Sequence, residues 1–163
     1  MNVVVSDTSP LHYLILCGSE EVLPRLFARV FIPPAVLREL QHAGAPPAVS
    51  SWAAALPAWV TVQAPQSLDV SLAVDPGESE AICLAREIKA DAILMDDRAG
   101  RAAATHCGLR VIGTLGLLEQ AAARGFLDFA EVMKKLGNTN VRLDPGLVKA
   151  ALARDAARRS GLR

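Results

Sequence analysis

The sequence of 163 residues contains few of the side chains that indicate a protein's chemistry most directly. It has three cysteines, three histidines and 4% aromatic residues, and its 17 basic side chains balance 17 acidic ones. The cysteines at 17, 83 and 107 are far apart and form no CxxC pair, which excludes a disulfide framework and a zinc knuckle. We expect them to be buried apolar residues of a protein in a reducing compartment. The zero net charge excludes a global attraction to nucleic acid or membrane, so any polyanion must be bound locally.

Further absences exclude membrane and nucleotide-binding classes. No apolar run approaches the ~18 residues that a membrane span needs, and residues 1–7 lack the basic start of a signal peptide. No GxGxxG or Walker motif is present, so we expect no nucleotide cofactor and no membrane association. With 52% hydrophobic residues the chain can bury a sizeable core. We therefore expect a globular cytoplasmic protein.

Short apolar runs alternate with helical patterns along the first 125 residues. They predict strands at residues 3–5, 29–32, 59–62, 92–95 and 110–112. They predict helices at about residues 11–16, 20–27, 34–41, 49–56, 78–89, 98–107 and 114–124. In the first helix, Ser9 before Pro10 is the expected N-cap. Because strands that alternate with helices pair in parallel, the fold class is α/β: a three-layer α/β/α sandwich with a central, mainly parallel sheet.

Residues 126–163 predict a C-terminal helical extension that packs on, or extends, the α/β domain of residues 1–125. A break at residues 137–140 and a new start at Asp144-Pro145 divide it into two helices. Residues 141–163 carry six basic and two acidic side chains, a local charge of +4 that leaves about −4 for the rest. This basic end is either an ordinary solvated helix end or part of a surface for RNA, a second copy or a partner protein.

Acidic side chains gather at one predicted edge of the sheet. Asp7 ends the first strand, and Asp96 and Asp97 end the strand at 92–95. In parallel α/β sheets, ligands bind beyond the carboxyl ends of the strands. On the helix at 78–89, Glu78 falls on the apolar side and Glu80 at its margin, so the first turn of this helix directs an acid to the same edge.

Glu39 is the fourth acid that lies close to apolar surface, on the helix at 34–41. Clustered carboxylates raise one another's pKa unless a cation binds them. Oxygen ligands select Mg²⁺ or Mn²⁺, and such a site can support hydrolysis of a phosphodiester. Each acid also has an ordinary alternative role, as a turn residue, a solvated helix residue or a helix cap.

Four motifs together resemble a PIN domain. They are Asp7-Thr8-Ser9 after a strand, Ile32-Pro33-Pro34 followed by Glu39, Gly77-Glu78-Ser79-Glu80, and Met95-Asp96-Asp97-Arg98. The resemblance covers about residues 1–125. It is closest to a PIN-like bacterial and archaeal subgroup related to VapC toxins, whose last motif is similar to Val111-Ile112-Gly113-Thr114.

The resemblance implies a ribonuclease with Mg²⁺ or Mn²⁺ held by four acids, often a homodimer and often bound by an antitoxin protein. By position, it implies that the catalytic and metal-binding acids are Asp7, Glu39, Glu78 and Asp97. Glu80 and Asp96 would then be further ligands or replace their neighbours.

Four other side chains are candidates for contact with the substrate. Thr8 and Ser9 match hydroxyl positions that, in the family, help to orient water. Arg98 and Arg101 follow the last acids on one helix, where they either form a solvated face or contact an RNA phosphate.

The function that we expect is therefore a metal-dependent endoribonuclease, the toxin of a type II toxin–antitoxin pair. The alternative is a catalytically weak PIN-like module that binds RNA or protein. A phosphoacceptor domain similar to a response regulator is disfavoured, because a lone Asp7 ends the first strand and no lysine follows the strand at 110–112.

Overall fold

Five short apolar strands pair side by side in a wholly parallel sheet. The computed structural model describes residues 2–161. The strands are β1 Val3–Ser6, β2 Arg29–Ile32, β3 Val60–Val62, β4 Ala92–Leu94 and β5 Val111–Ile112, in the order β3-β2-β1-β4-β5. Val4 at the centre pairs with Val30 on one side and with Ala92 on the other. Strands this apolar are typical of a parallel sheet that is covered on both faces.

Helices connect the strands and follow the sheet. They are α1 Thr8–Leu16, α2 Val22–Leu26, α3 Pro34–Leu40, α4 Pro47–Ala54, α5 Pro76–Glu87, α6 Arg98–His106, α7 Thr114–Ala123, α8 Phe129–Gly137 and α9 Pro145–Arg159. The predicted strands and helices are all present, and most boundaries lie within two residues of the expected ones. The loop at 63–75 contains neither helix nor strand, as the sequence indicates.

Successive strand residues point to opposite faces and so build two apolar layers. On one face, Val4, Val30 and Leu94 pack with buried residues of α1, α7 and α8. On the other face, Val5 and Ile93 pack with the apolar sides of α5 and α6. Helices cover both sides of the sheet, which confirms the three-layer α/β/α sandwich.

The two central strands end at the place where the connections change direction. From β1 the chain continues to β2 and β3 on one side, whereas β4 and β5 lie on the other. The backbone N–H of Asp7 donates to the carbonyl of Leu94 at 2.9 Å, so the carboxyl ends of β1 and β4 lie side by side. In open parallel sheets this switch point is the usual place for a ligand.

One predicted helix start is wrong. The first helix begins at Thr8 with Asp7 as its N-cap residue, so Ser9 and Pro10 lie in the first turn. Asp7 has an extended backbone that continues the ladder of β1. Pro10 does not prevent the earlier start because backbone N–H groups in a first turn lack helical partners in any case.

The C-terminal helices α8 and α9 pack against α7, in the helix layer on one face of the sheet. Helix α9 contacts α7 and α8, and its Ala151 is fully buried. The guanidinium of Arg154 binds the carboxylate of Glu119 on α7 with two hydrogen bonds of 2.8 and 3.0 Å.

Cys17 and Cys83 are buried and Cys107 is half-buried, all with free thiols. Within residues 2–161, none of the helices combines the length and the apolar character that crossing a bilayer requires.

If α9 folds as one unit with the sheet, a charge at its buried face should destabilise the whole chain. We expect Ala151→Asp to lower the free energy of unfolding by about 3 kcal/mol, because the carboxylate is buried without a partner. The exposed neighbour Ala150 provides the matched control, and Ala150→Asp should lower stability by only about 0.7 kcal/mol, the cost of replacing alanine with aspartate in a helix. Urea unfolding followed by circular dichroism measures both. Equal midpoints for the two variants would contradict the packing of α9.

Candidate active site

The carboxyl group of Asp7 lies at the end of β1 and is only 5% exposed. The pKa of this carboxyl is raised from 3.8 to about 7, and burial is the largest cause. The negative charges of Asp75, Glu39 and Asp96 contribute to the rise, whereas the backbone N–H of Thr8 opposes it. Asp7 is therefore an acid in an environment that disfavours its own charge.

Glu78 is the second buried acid, with 5% exposure, in the first turn of α5. Asp75 caps this helix, since its Oδ1 accepts the N–H of Glu78 at 2.8 Å. Burial is again the largest cause that raises the pKa, to about 8 for Glu78, followed by the charges of Asp75 and Asp97, a hydrogen bond with the Asp75 side chain and the charge of Asp7. The cap and the apolar face of α5 thus hold this side chain at the sheet edge.

Glu39 reaches the same edge from α3 and is exposed to solvent. The hydroxyl of Thr8, one residue after Asp7, donates a hydrogen bond to the Glu39 carboxylate. A Cβ atom on Gly77 would lie 2.6 Å from Oε1 of Glu39, so the missing side chain leaves room for this carboxylate beside the start of α5. Glu39 therefore connects α1, α3 and α5.

Asp96 and Asp97 follow β4 directly but hold different helices. Asp96 accepts hydrogen bonds from the N–H and the hydroxyl of Thr114, at 2.7 and 2.6 Å, and so fixes the start of α7. One oxygen of Asp97 accepts the N–H groups of Ala99 and Gly100 and caps α6. The two neighbouring acids thus bring the N-termini of two helices to the site.

The carboxylate of Glu78 lies against the first turn of α6. A Cβ atom on Gly100 would lie 3.0 Å from Oε2 of Glu78 and 2.6 Å from the sulfur of the buried Met95. Because Gly100 also donates to Asp97, Glu78 and Asp97 meet at this turn. The structure therefore brings Asp7, Glu39, Glu78, Asp96 and Asp97 to one edge of the sheet, as the sequence predicts.

Glu80, in contrast, faces away from this group. Its Oε1 accepts the N–H of Ala35 at 3.1 Å, and its Oε2 lies 3.6 Å from the guanidinium of Arg38. The carboxylate thus joins α5 to the start of α3. Of the two alternatives on α5, Glu78 and not Glu80 is the acid that points to Asp7.

The candidate substrate-binding residues lie around the acids in different ways. Arg101 is half-buried and its Nη1 donates to the carbonyl of Met95 at 3.1 Å, which fixes the side chain beside the end of β4. Arg98 is exposed at the start of α6. Ser9 is half-buried and lines a cleft next to the acids, whereas the Thr8 hydroxyl is bound to Glu39.

Asp75 belongs to the acidic group although the sequence analysis does not select it. Among the neighbouring charges, that of Asp75 contributes most to the raised pKa of both Asp7 and Glu78. The available indication was its position directly before Pro76 and three residues before Glu78, which is the pattern of an N-cap followed by a proline in the first turn. Asp75 is thus both the cap of α5 and the sixth acid of the site.

The donor set fits a hard divalent cation. All six acids offer oxygen ligands, and the raised pKa values of Asp7 and Glu78 show that this edge disfavours further negative charge unless a proton or a cation is bound. Within the described range, no three His, Cys, Asp or Glu side chains stand in a ready ligand arrangement. Binding of an ion would therefore require these side chains to move together.

The fold and the site define an α/β protein with an acidic centre at the switch point of a parallel sheet. A model of the family DUF3368, described as a PIN domain, matches residues 3–157, and the chain belongs to this family. The matched region includes most of the helical extension.

A solved structure of a PilT N-terminus domain protein, SSO1118, from the hyperthermophilic archaeon Sulfolobus solfataricus P2 is similar, with a TM-score of 0.47 and 14% identity. That alignment covers 88% of this chain and 100% of the other. Among curated proteins, none matches the sequence.

The raised pKa of Asp7 predicts an unusual dependence of stability on pH. The folded-state pKa of Asp7 exceeds the unfolded value of 3.8. The contribution of Asp7 to the free energy of unfolding is therefore fully present below about pH 4 and is lost as the pH rises through about 7. We expect Asp7→Asn to stabilise the metal-free protein at pH 8 by about 2 kcal/mol and to change little at pH 4. Thermal unfolding in a chelator at both pH values measures this. The control is Glu131→Gln, which neutralises an exposed acid of α8, and an identical response of both variants would contradict the prediction.

The different positions of Glu78 and Glu80 predict different effects on ion binding. We expect Glu78→Gln to weaken Mn²⁺ binding by about tenfold or more, because it removes a charged ligand that faces Asp7. Glu80→Gln should retain the affinity within about twofold, since that carboxylate is bound to α3. Titration calorimetry measures both, and a larger loss for the Glu80 variant would reverse the assignment.

Proposed function

We propose that this protein is a metal-dependent endoribonuclease that hydrolyses RNA phosphodiester bonds. One observation carries the proposal: two buried carboxyl groups, Asp7 and Glu78, lie at the switch point with pKa values raised to about 7 and about 8, amid further acids. Membership of a PIN-domain family supports a nuclease-like hydrolase. Structural acids are normally placed where their charge is solvated or paired, so this concentration of unfavourable charge favours a functional role.

Mg²⁺ or Mn²⁺ would be held by Asp7, Glu78 and Asp97, with Glu39, Asp96 and Asp75 around them. A divalent ion in such a site activates water as a nucleophile and offsets the negative charge that develops on the phosphate. Asp7 and Glu78 release their protons when they become ligands, so affinity for the ion should rise with pH up to about pH 8.

The chain's own hydrogen bonds prepare this arrangement. The Thr8 hydroxyl holds the Glu39 carboxylate, and Asp75 holds the first turn of α5 with Glu78. Asp97 keeps its remaining oxygen at an exposed position after it has capped α6. Under this proposal, Arg98 and Arg101 bind phosphates next to the scissile one, as guanidinium groups match phosphate oxygens well.

The finer assignment follows the family resemblance. We propose that the protein acts as the toxin of a type II toxin–antitoxin pair, that a cognate antitoxin protein binds it, and that it forms a homodimer in the cytoplasm. Growth arrest on expression of the chain, relieved by co-expression of the neighbouring open reading frame, would support the toxin role, and growth unaffected by the chain would argue against it.

The nuclease proposal is tested by cleavage of a fluorescent single-stranded RNA in Mn²⁺. We expect Asp7→Asn and Glu78→Gln to lower the rate by about 100-fold or more, because each removes a charged ligand at the centre. Glu131→Gln, which changes an exposed acid of α8 outside the acidic group, should cleave at the wild-type rate. Circular dichroism establishes that all three variants are folded.

Two outcomes would refute a metal-dependent enzyme. Undiminished cleavage by a folded Asp7→Asn variant would exclude the acids as the catalytic centre, and a rate that is insensitive to a chelator would exclude the ion. RNA binding without any cleavage in Mg²⁺ or Mn²⁺ would favour the alternative, a catalytically weak binding module.

A further inference from the structure

A cleft of about 900 Å³ opens directly beside the acidic edge. The cleft is lined by residues of α1, by residues 110–116, which run through β5 into α7, and by residues 140–147, which connect α8 to α9 and include the first turn of α9. Ser9, Asp96 and Asp97 belong both to this cleft and to the acidic edge. The cleft is therefore continuous with the site at which we propose that hydrolysis takes place, and the C-terminal extension forms part of it.

Four arginines line the cleft, and their partners differ. Arg101 is bound to the carbonyl of Met95, and Arg154 is bound through two hydrogen bonds to Glu119. Arg110 and Arg142 are exposed, and neither forms an ion pair with any residue from 2 to 161. These two guanidinium groups, which come from separate segments of the cleft lining, thus keep their hydrogen-bond donors available to a ligand.

The acids that line the cleft away from the sheet edge already have partners. Glu119 is neutralised by Arg154, and Oδ1 of Asp144 accepts the N–H groups of Gly146 and Leu147 at the start of α9. The charges of the arginines are therefore not balanced by direct contacts within this part of the cleft.

Tyr13 connects α1 to the segment that carries Arg142. Its hydroxyl donates to Oδ1 of Asn140 at 3.5 Å, which links α1 to the segment at 140–147. Burial and the charge of Asp96 raise the pKa of Tyr13, while the charge of Arg142 lowers it. Asp96 and Arg142 thus both lie within electrostatic reach of one hydroxyl group, so Arg142 stands a short distance beyond the acidic edge.

We propose that this cleft holds the RNA strand on one side of the scissile phosphate and that Arg110 and Arg142 bind phosphates of that strand. This inference rests on the nuclease function proposed above. The acids repel RNA, so a strand that passes over them needs cations immediately beside them. Phosphate is the ligand that two available guanidinium groups match best, because they can bind its oxygens in pairs. A continuous strand is favoured over a free anion because a cleft of about 900 Å³ is much larger than one phosphate group and includes Asp96 and Asp97 as well as the two arginines.

The test compares matched double variants of the full chain in an Asp7→Asn background, which prevents cleavage during the measurement. One variant carries Arg110→Ala and Arg142→Ala. The control carries Lys149→Ala and Arg159→Ala, which remove the same charge from exposed positions of α9 outside the cleft. Fluorescence anisotropy with a single-stranded RNA gives the affinity at several salt concentrations, and thermal unfolding establishes that all chains are folded.

We expect the cleft variant to bind RNA about tenfold or more weakly at low salt, and the control to lose much less. The slope of log affinity against log salt should become less steep by about 1.4 in the cleft variant, about 0.7 for each lost phosphate contact. Unchanged affinity and slope in the cleft variant, with a background protein that binds RNA, would overturn the role of the cleft and leave the nuclease function standing. Equal losses in both variants would assign the effect to overall charge and would also overturn it.

Failure of the proposed function has a different result. If the background protein binds no RNA and the wild-type chain cleaves none in Mn²⁺, both proposals fail together. If the wild-type chain cleaves RNA and the cleft variant binds RNA as tightly as the Asp7→Asn background does, the strand takes another path. In that case the inference about the cleft is wrong and the nuclease function stands.

Discussion

Mutual repulsion among carboxylates at the ends of β1 and β4 is the constraint on which the rest of the site depends. Asp7 and Glu78 are buried within reach of other acids, and their raised pKa values express how unfavourable their charged forms are there. The backbone and the apolar core hold these two acids in place. Asp7 is fixed by the parallel ladder to Leu94, and Glu78 by the apolar side of α5, which packs on the sheet.

The acids around this centre serve the architecture as well as the site. Asp75, Asp96 and Asp97 each accept backbone N–H groups at the start of a helix, and Glu39 accepts the Thr8 hydroxyl. Because helix N-termini favour negative charge, these three starts partly offset the repulsion at the edge. The same side chains thus fix the positions of α5, α6 and α7 and set the electrostatics of the centre.

Much of the fold follows from local sequence patterns, whereas the relations between distant segments do not. Apolar runs and proline starts were sufficient for the strands and helices, and strand-end position was sufficient for Asp7 and the acids after β4. Glu78 and Glu80 stayed ambiguous because Glu78 falls on the apolar side of α5 and Glu80 at the margin of that side. The contact of Glu80 with α3 distinguishes them. Ser9 was misplaced as a cap because Pro10 is tolerated within the first turn of α1, where backbone N–H groups lack helical partners, and not only at its first position. The cleft could not be predicted, since it forms where residues 140–147 meet the distant segment after β5.

Two residues without side chains decide how closely the helices can approach these carboxylates. Gly77 faces Glu39, and Gly100 faces Glu78, at distances where even a methyl group would collide with an oxygen or with the sulfur of Met95. The space at the centre therefore depends on the absence of a Cβ atom at these two positions as well as on the functional groups that surround it. A homologous chain could retain every acid and still have a smaller, differently shaped centre if alanine replaced either glycine.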